Sequence, residues 1–110
     1  MDQLTLREKI GVNYTLLELS GAINASTFDE LQEKVYSNIK NTNIVLDLEN
    51  VTQIDSSGMG VILGGHNDGV DSNTKLFLMN PSEIVRHSLE RTGFMSLFNI
   101  IHSVTEVSNV

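Results

Sequence analysis

The chain has 110 residues, no cysteine and a formal net charge of −7. That length makes a single domain over 1–110, and the missing cysteines exclude disulfides, thiolate metal sites and cysteine nucleophiles. The acidic balance speaks against nucleic acid as a direct partner, because holding phosphates needs a basic face. No apolar run approaches the roughly 20 residues that a membrane span needs. The N-terminal stretch Met1-Asp2-Gln3-Leu4-Thr5 lacks the basic and long apolar regions of a signal peptide. A cytoplasmic protein with no membrane partner is the expectation.

Leu4 and Leu6 alternate with polar residues and predict a short strand. Lys9-Ile10-Gly11 can turn the chain. Val12, Tyr14 and Leu16 then alternate, with Leu17 and Leu19 extending the run, so the two segments read as an antiparallel hairpin. Ser20-Gly21-Ala22-Ile23-Asn24-Ala25 breaks the pattern. Thr27-Phe28-Asp29-Glu30 has the T-x-x-E form of a capping box, and Phe28, Leu31, Val35 and Ile39 follow at helical spacing. This first helix is expected to end near Lys40-Asn41.

Ile44 to Leu48 is short and continuously apolar apart from Asp47, which predicts a strand buried on both faces of a parallel sheet. After the loop Ile54-Asp55-Ser56-Ser57-Gly58, residues Met59, Ile62, Leu63, His66 and Val70 share one helical face. Gly64-Gly65 weakens this second helix, and either permits close packing or ends the helix early. Leu76 to Met79 predicts another buried strand. Asn80-Pro81-Ser82-Glu83 opens a third helix, with Asn80 as cap and Pro81 in the first turn. Ile84, Val85, Ser88 and Leu89 are its packing face, and Gly93 is its C-terminal cap. Phe98 to Ile101 predicts a last strand, and Ser103 to Glu106 a weak final helix. The alternation implies an α/β domain with right-handed crossovers and a mixed, mainly parallel sheet of four to five strands.

Few residues offer catalytic chemistry. Neither Ser56 nor Ser57 has the glycine two residues earlier that a nucleophile elbow requires. Gly58-Met59-Gly60 starts like a dinucleotide fingerprint, but the next glycine, Gly64, comes one position late, and no lysine stands in a phosphate-loop position. His66, His87 and His102 are too scattered for paired metal ligands. No catalytic residue, metal or cofactor is expected. On local chemistry Asp55-Ser56-Ser57-Gly58 is a helix cap in which Asp55 or Ser56 accepts a backbone N–H. A phosphorylatable switch asks for the same small hydroxyl at a helix start, so the loop by itself fits both.

The stretch from Ile44 to Leu63, with its D-S-S-G-M-G core at Asp55 to Gly60, resembles the signature of bacterial anti-sigma factor antagonists, the STAS domain family. Ser20-Gly21-Ala22-Ile23-Asn24 resembles that family's earlier G-x-[IL]-D loop, and Arg91-Thr92-Gly93-Phe94 its later [TS]-G-[LF] element. The resemblance runs in order over nearly the whole chain. It implies a STAS-like domain without catalysis of its own, which binds an anti-sigma factor that is also a serine kinase. The sigma factor is thereby released. The kinase then uses ATP to phosphorylate the antagonist, the complex separates, and a serine phosphatase resets the cycle. The implied phosphoacceptor is Ser56, with Ser57 as the alternative. Asn24, Asp55, Ser57, Gly58, Met59, Ile62 and Leu63 are the implied partner-binding residues, and a free monomer is the default state. Two departures stand out: Asn24 replaces the family's aspartate, and the C-terminal helix is short. A STAS module acting on a non-sigma partner, or a small ligand-binding module, is the alternative.

Overall fold

The computed structural model describes residues 3–109; Met1, Asp2 and Val110 lie outside the described residues. Five strands form one sheet in the order β1-β2-β3-β4-β5. These are β1 (Leu4–Ile10), β2 (Tyr14–Ile23), β3 (Asn43–Ile54), β4 (Leu76–Met79) and β5 (Asn99–Ile101). β1 and β2 pair antiparallel, and every later pair is parallel. The helices are α1 (Phe28–Asn38), α2 (Ser56–Ser72) and α3 (Glu83–Thr92). The mixed α/β sheet expected from the alternation of elements is thus present, with five strands.

Strand side chains alternate between two cores. Leu17, Leu46 and Leu78 stand side by side in register and face all three helices, where they meet Leu31, Val35, Ile62, Val85 and Leu89. The intervening residues Leu16, Val45 and Phe77 face the opposite side, where Val107 of a short 3-10 helix (Val104–Asn109) covers them. Such two-sided burial explains the unbroken apolar runs Ile44-Val45-Leu46 of β3 and Leu76 to Met79 of β4.

α2 runs 17 residues through Gly64 and Gly65. Close packing is the reason for the second of these: a Cβ on Gly65 would stand 2.6 Å from Cγ1 of Val35 on α1. Asn73, at φ 63°, closes the helix in the left-handed conformation. Val70 faces out, 67% exposed, so the buried face is drawn by Gly58, Met59, Val61, Ile62, Gly65 and Gly69 instead.

Several local expectations are corrected. The chain does not break at Ser20: β2 continues to Ile23, with register shifts against β3 on either side of Gly21. β3 runs on past Leu48 to Ile54. Thr27 is the N-cap of α1 but forms no capping box. Its Oγ1 donates to the Ala22 carbonyl at 2.8 Å and accepts from the Asn24 N–H at 2.9 Å, which ties the preceding loop. α1 ends at Asn38, before Lys40. α3 is capped by Ser82, not Asn80; Ser82 Oγ accepts from Val85 N–H and donates to the Val51 carbonyl at 2.8 Å. Ile84 on α3 is exposed, whereas Val85, Ser88 and Leu89 are buried. Gly93 caps α3 at φ 79° as expected.

Candidate functional site

The site lies at the C-terminal ends of the adjacent parallel strands β2 and β3. Ile23 and Ile54 are register partners, and Asp55 N–H donates to the Ile23 carbonyl at 3.1 Å. That contact holds the Asn24 loop beside the Asp55-Ser56 loop. In open α/β sheets this end of the strands is where ligands and partners are met.

Asp55 is the N-cap of α2. Its Oδ1 accepts from Ser57 N–H at 2.9 Å and from Gly58 N–H at 3.2 Å. Of the two cap candidates, then, Asp55 does the capping. Ser56 becomes the first helical residue, exposed, and its hydroxyl makes no hydrogen bond among the described residues. A cap serine would be engaged by its own helix; Ser56 is left available to another molecule. Ser57 is half-buried next to it, with its N–H held by Asp55. Gly58 is buried for a steric reason, since a Cβ there would meet Ile23 Cγ2 at 2.7 Å and Ile54 Cγ1 at 2.8 Å.

Asn24 Oδ1 accepts from Ser26 N–H at 2.9 Å, an Asx turn that an aspartate would also make. The local geometry of the loop therefore persists with asparagine, and what differs from the family pattern is the charge.

Beside Ser56, between the start of α2 and the end of α3, lies a cleft of about 370 Å³. Ile54, Met59, Leu63 and Phe94 supply apolar lining, and Ser56, Gly60 and Arg91 polar or open rim positions. A second cleft of about 500 Å³ adjoins it along α3 and shares Ile54, Ser88 and Arg91.

Of the expected site residues, Asp55, Ser56, Met59 and Leu63 line the cleft. Ile62 does not: its side chain is fully buried, because it sits on the opposite flank of α2 facing the sheet, and it has no surface to offer a partner. Gly58 is likewise enclosed. Gly60, Arg91, Thr92 and Phe94 complete the cleft without having been assigned a role. Their signal was in the sequence, because Gly60 ends the D-S-S-G-M-G core and the other three belong to the late motif. What the sequence lacked was the knowledge that α3 brings the two motifs to one groove.

Among the described residues no group of three or more His, Asp or Glu could hold a metal ion, and no helix is long and apolar enough to cross a membrane.

An α/β domain with a capped serine loop at the carboxyl end of its parallel strands is the architecture on which these motifs were expected. The STAS domain family model matches residues 3–107, and the chain belongs to that family. Among solved structures, the unphosphorylated anti-sigma factor antagonist SpoIIAA is similar at 19% identity and a TM-score of 0.79, over 96% of this chain and 94% of that one. The phosphorylated form of SpoIIAA from Bacillus matches at 19% identity and 0.75, over 96% and 97%. An anti-sigma factor antagonist from Mycobacterium paratuberculosis matches at 16% and 0.78, over 96% and 92%. At these identities the likeness is one of fold.

Proposed function

We propose that this protein is an anti-sigma factor antagonist that works by partner switching, with Ser56 as its phosphoacceptor. The observation that carries the reading is the Ser56 hydroxyl, exposed and unengaged at the rim of an apolar cleft while Asp55 does the capping. The unphosphorylated chain docks an anti-sigma factor that is also a serine kinase, using the cleft and the adjoining Asn24 loop. Met59 and Leu63 give apolar contact; Asp55, Ser57 and Gly58 fix the loop. The kinase transfers the γ-phosphoryl group of ATP to Ser56 Oγ. An Oγ–P bond forms as the bond to ADP breaks, and the hydroxyl proton passes to a base of the kinase. A serine phosphatase returns Ser56 with water, releasing inorganic phosphate.

The added group brings about −1.5 to −2 of charge and three acceptor oxygens. In a packed, partly apolar interface that charge is costly to desolvate and repels nearby acids. On the free domain it stays in water, so the switch acts on the complex. SpoIIAA, whose two phosphorylation states both match this fold, is consistent with a domain that keeps its shape. The protein needs no catalysis or cofactor of its own in this role, and a cytoplasmic monomer suffices.

The test has two stages. A Ser56→Ala chain is used as bait in native lysate to capture the kinase. The parent chain is then incubated with that kinase and ATP and read by mass spectrometry. Phosphate on Ser56 with loss of the complex is expected; phosphate on Ser57 alone, or none with the complex intact, would sink the reading. The cleft volume lies at the low end of small-molecule sites, which favours ligand binding as the second reading. That reading predicts thermal stabilisation by metabolites without any protein partner.

A further inference from the structure

Two of the N–H groups at the start of α2, those of Ser57 and Gly58, are already taken by the Asp55 carboxylate. A phosphate on Ser56 would therefore sit beside a negative charge, and a cation from elsewhere in the fold would relieve the repulsion. Among the described residues one basic side chain lines the cleft that Ser56 borders: Arg91, on the last turn of α3. Arg91 is exposed and makes no ion pair or hydrogen bond among the described residues. The charged and titratable groups facing the two joined clefts are Asp55, Glu83, His87 and Arg91.

We infer that Arg91 is the internal receptor for the phosphate on Ser56, holding it across the α2–α3 cleft by a charge-assisted hydrogen bond. A guanidinium suits the task, since its planar fork meets phosphate oxygens in pairs and it never loses its charge. The pairing does two things. It relieves the repulsion between the phosphate and Asp55. It also draws Arg91 over Met59, Leu63 and Phe94, so phosphorylation closes the groove from within as well as adding charge to it.

The inference rests on Ser56 being the modified residue, but its test does not require the kinase. Phosphoserine is placed at position 56 of the full chain by genetic code expansion, and its second ionisation is followed by ³¹P NMR. An opposite charge within a few ångströms favours the dianion, so the phosphate pKa should be lower by about 0.5 than in an Arg91→Gln chain. Arg86 lies on the same helix but lines a different groove, with Asn80 and His102. Arg86→Gln removes the same charge and should leave the titration where it was. In the parent chain, the Arg91 Nε–H resonance should also shift when position 56 carries phosphate, a readout that needs no Arg91 variant. Equal titrations of the parent and Arg91→Gln chains, an equal effect of Arg86→Gln, or an unmoved Arg91 resonance would each overturn the assignment. Failure of a kinase to modify Ser56 would overturn the function proposed above and leave this result untouched.

Discussion

Two glycines of α2, Gly60 and Gly65, allow a packing argument to be tested with one kind of substitution in one helix. Glycine in a helix interior costs about 1 kcal/mol relative to alanine, so each Gly→Ala change starts with the same intrinsic gain. At Gly60 a Cβ would meet nothing within 4 Å. Gly60→Ala should therefore keep most of that gain, about 0.5–1 kcal/mol. At Gly65 the Cβ would stand 2.6 Å from Cγ1 of Val35, a fully buried, β-branched side chain with little freedom to turn away. Relieving that contact requires α1 and α2 to separate, an overpacking cost of about 1–3 kcal/mol that exceeds the gain. The two variants should thus differ by about 2 kcal/mol in opposite directions about the parent. For a chain of this size that difference is on the order of 8 °C in Tm. Urea unfolding followed by far-UV circular dichroism measures both, with a shared m-value as the check on two-state behaviour. A destabilised Gly60→Ala, or a Gly65→Ala as stable as Gly60→Ala, would refute the packing account of α2. Gly60 also borders the Ser56 cleft, so its more stable alanine variant should bind the kinase less well.

Asp55→Ala removes the acceptor for two N–H groups and should cost about 1–2 kcal/mol, read by the same urea curves. Ser56→Ala, in contrast, removes an exposed hydroxyl without a hydrogen bond and should leave stability within about 0.5 kcal/mol while abolishing phosphorylation. Ser56→Asp should weaken kinase binding in calorimetry with an unchanged circular dichroism spectrum. Gly21→Ala meets a positive φ of 110° and a Cβ 2.1 Å from the Gln3 carbonyl oxygen. It should cost about 2–4 kcal/mol and raise amide exchange along β1.

The order of elements was legible because the hydrophobic period marked α1, α2, β4 and α3, and polar cap or turn residues stood between them. Strand ends were not. β3 was expected to stop at Leu48 because Glu49 and Asn50 are polar and the next buried residues, Val51 and Ile54, fall three apart. The cause is a pair of bulges: Glu18 pairs with Asp47 but Ser20 with Asn50, then Gly21 with Val51 but Ala22 with Gln53, so β3 carries extra residues that destroy the period of two. Gly21 misled in the same way, as a glycine that reads as a break yet lets the chain bend within a continuing strand. The capping box failed because Thr27 has a stronger use in closing the Asn24 loop. At the site, the serine loop was readable as a motif. The cleft was not, because it depends on the distance across which α3 lies from α2, and no local spacing encodes that.

The same tertiary fact decides how a switch can be built here without a moving part. Ser82 N–H donates to the Leu48 carbonyl and Ser82 Oγ to the Val51 carbonyl, which fastens the start of α3 to β3. Asp55, which follows directly on the last residue of β3, holds the start of α2 through its cap and is itself tied by its N–H to Ile23 at the end of β2. Both walls of the cleft are therefore referenced to β3, whose Ile44, Val45, Leu46 and Leu48 side chains lie in the core. The proposed phosphorylation of Ser56 on such a frame would change charge and side-chain position and leave the backbone where it was. Hydrogen exchange offers the corresponding check: amides of β3 and of α2 beyond its first turn should keep their protection when position 56 carries phosphate. A broad loss of protection across α2 would mean that the signal travels by unfolding the helix, and a partner would then be rejected by the loss of its docking surface instead of by charge.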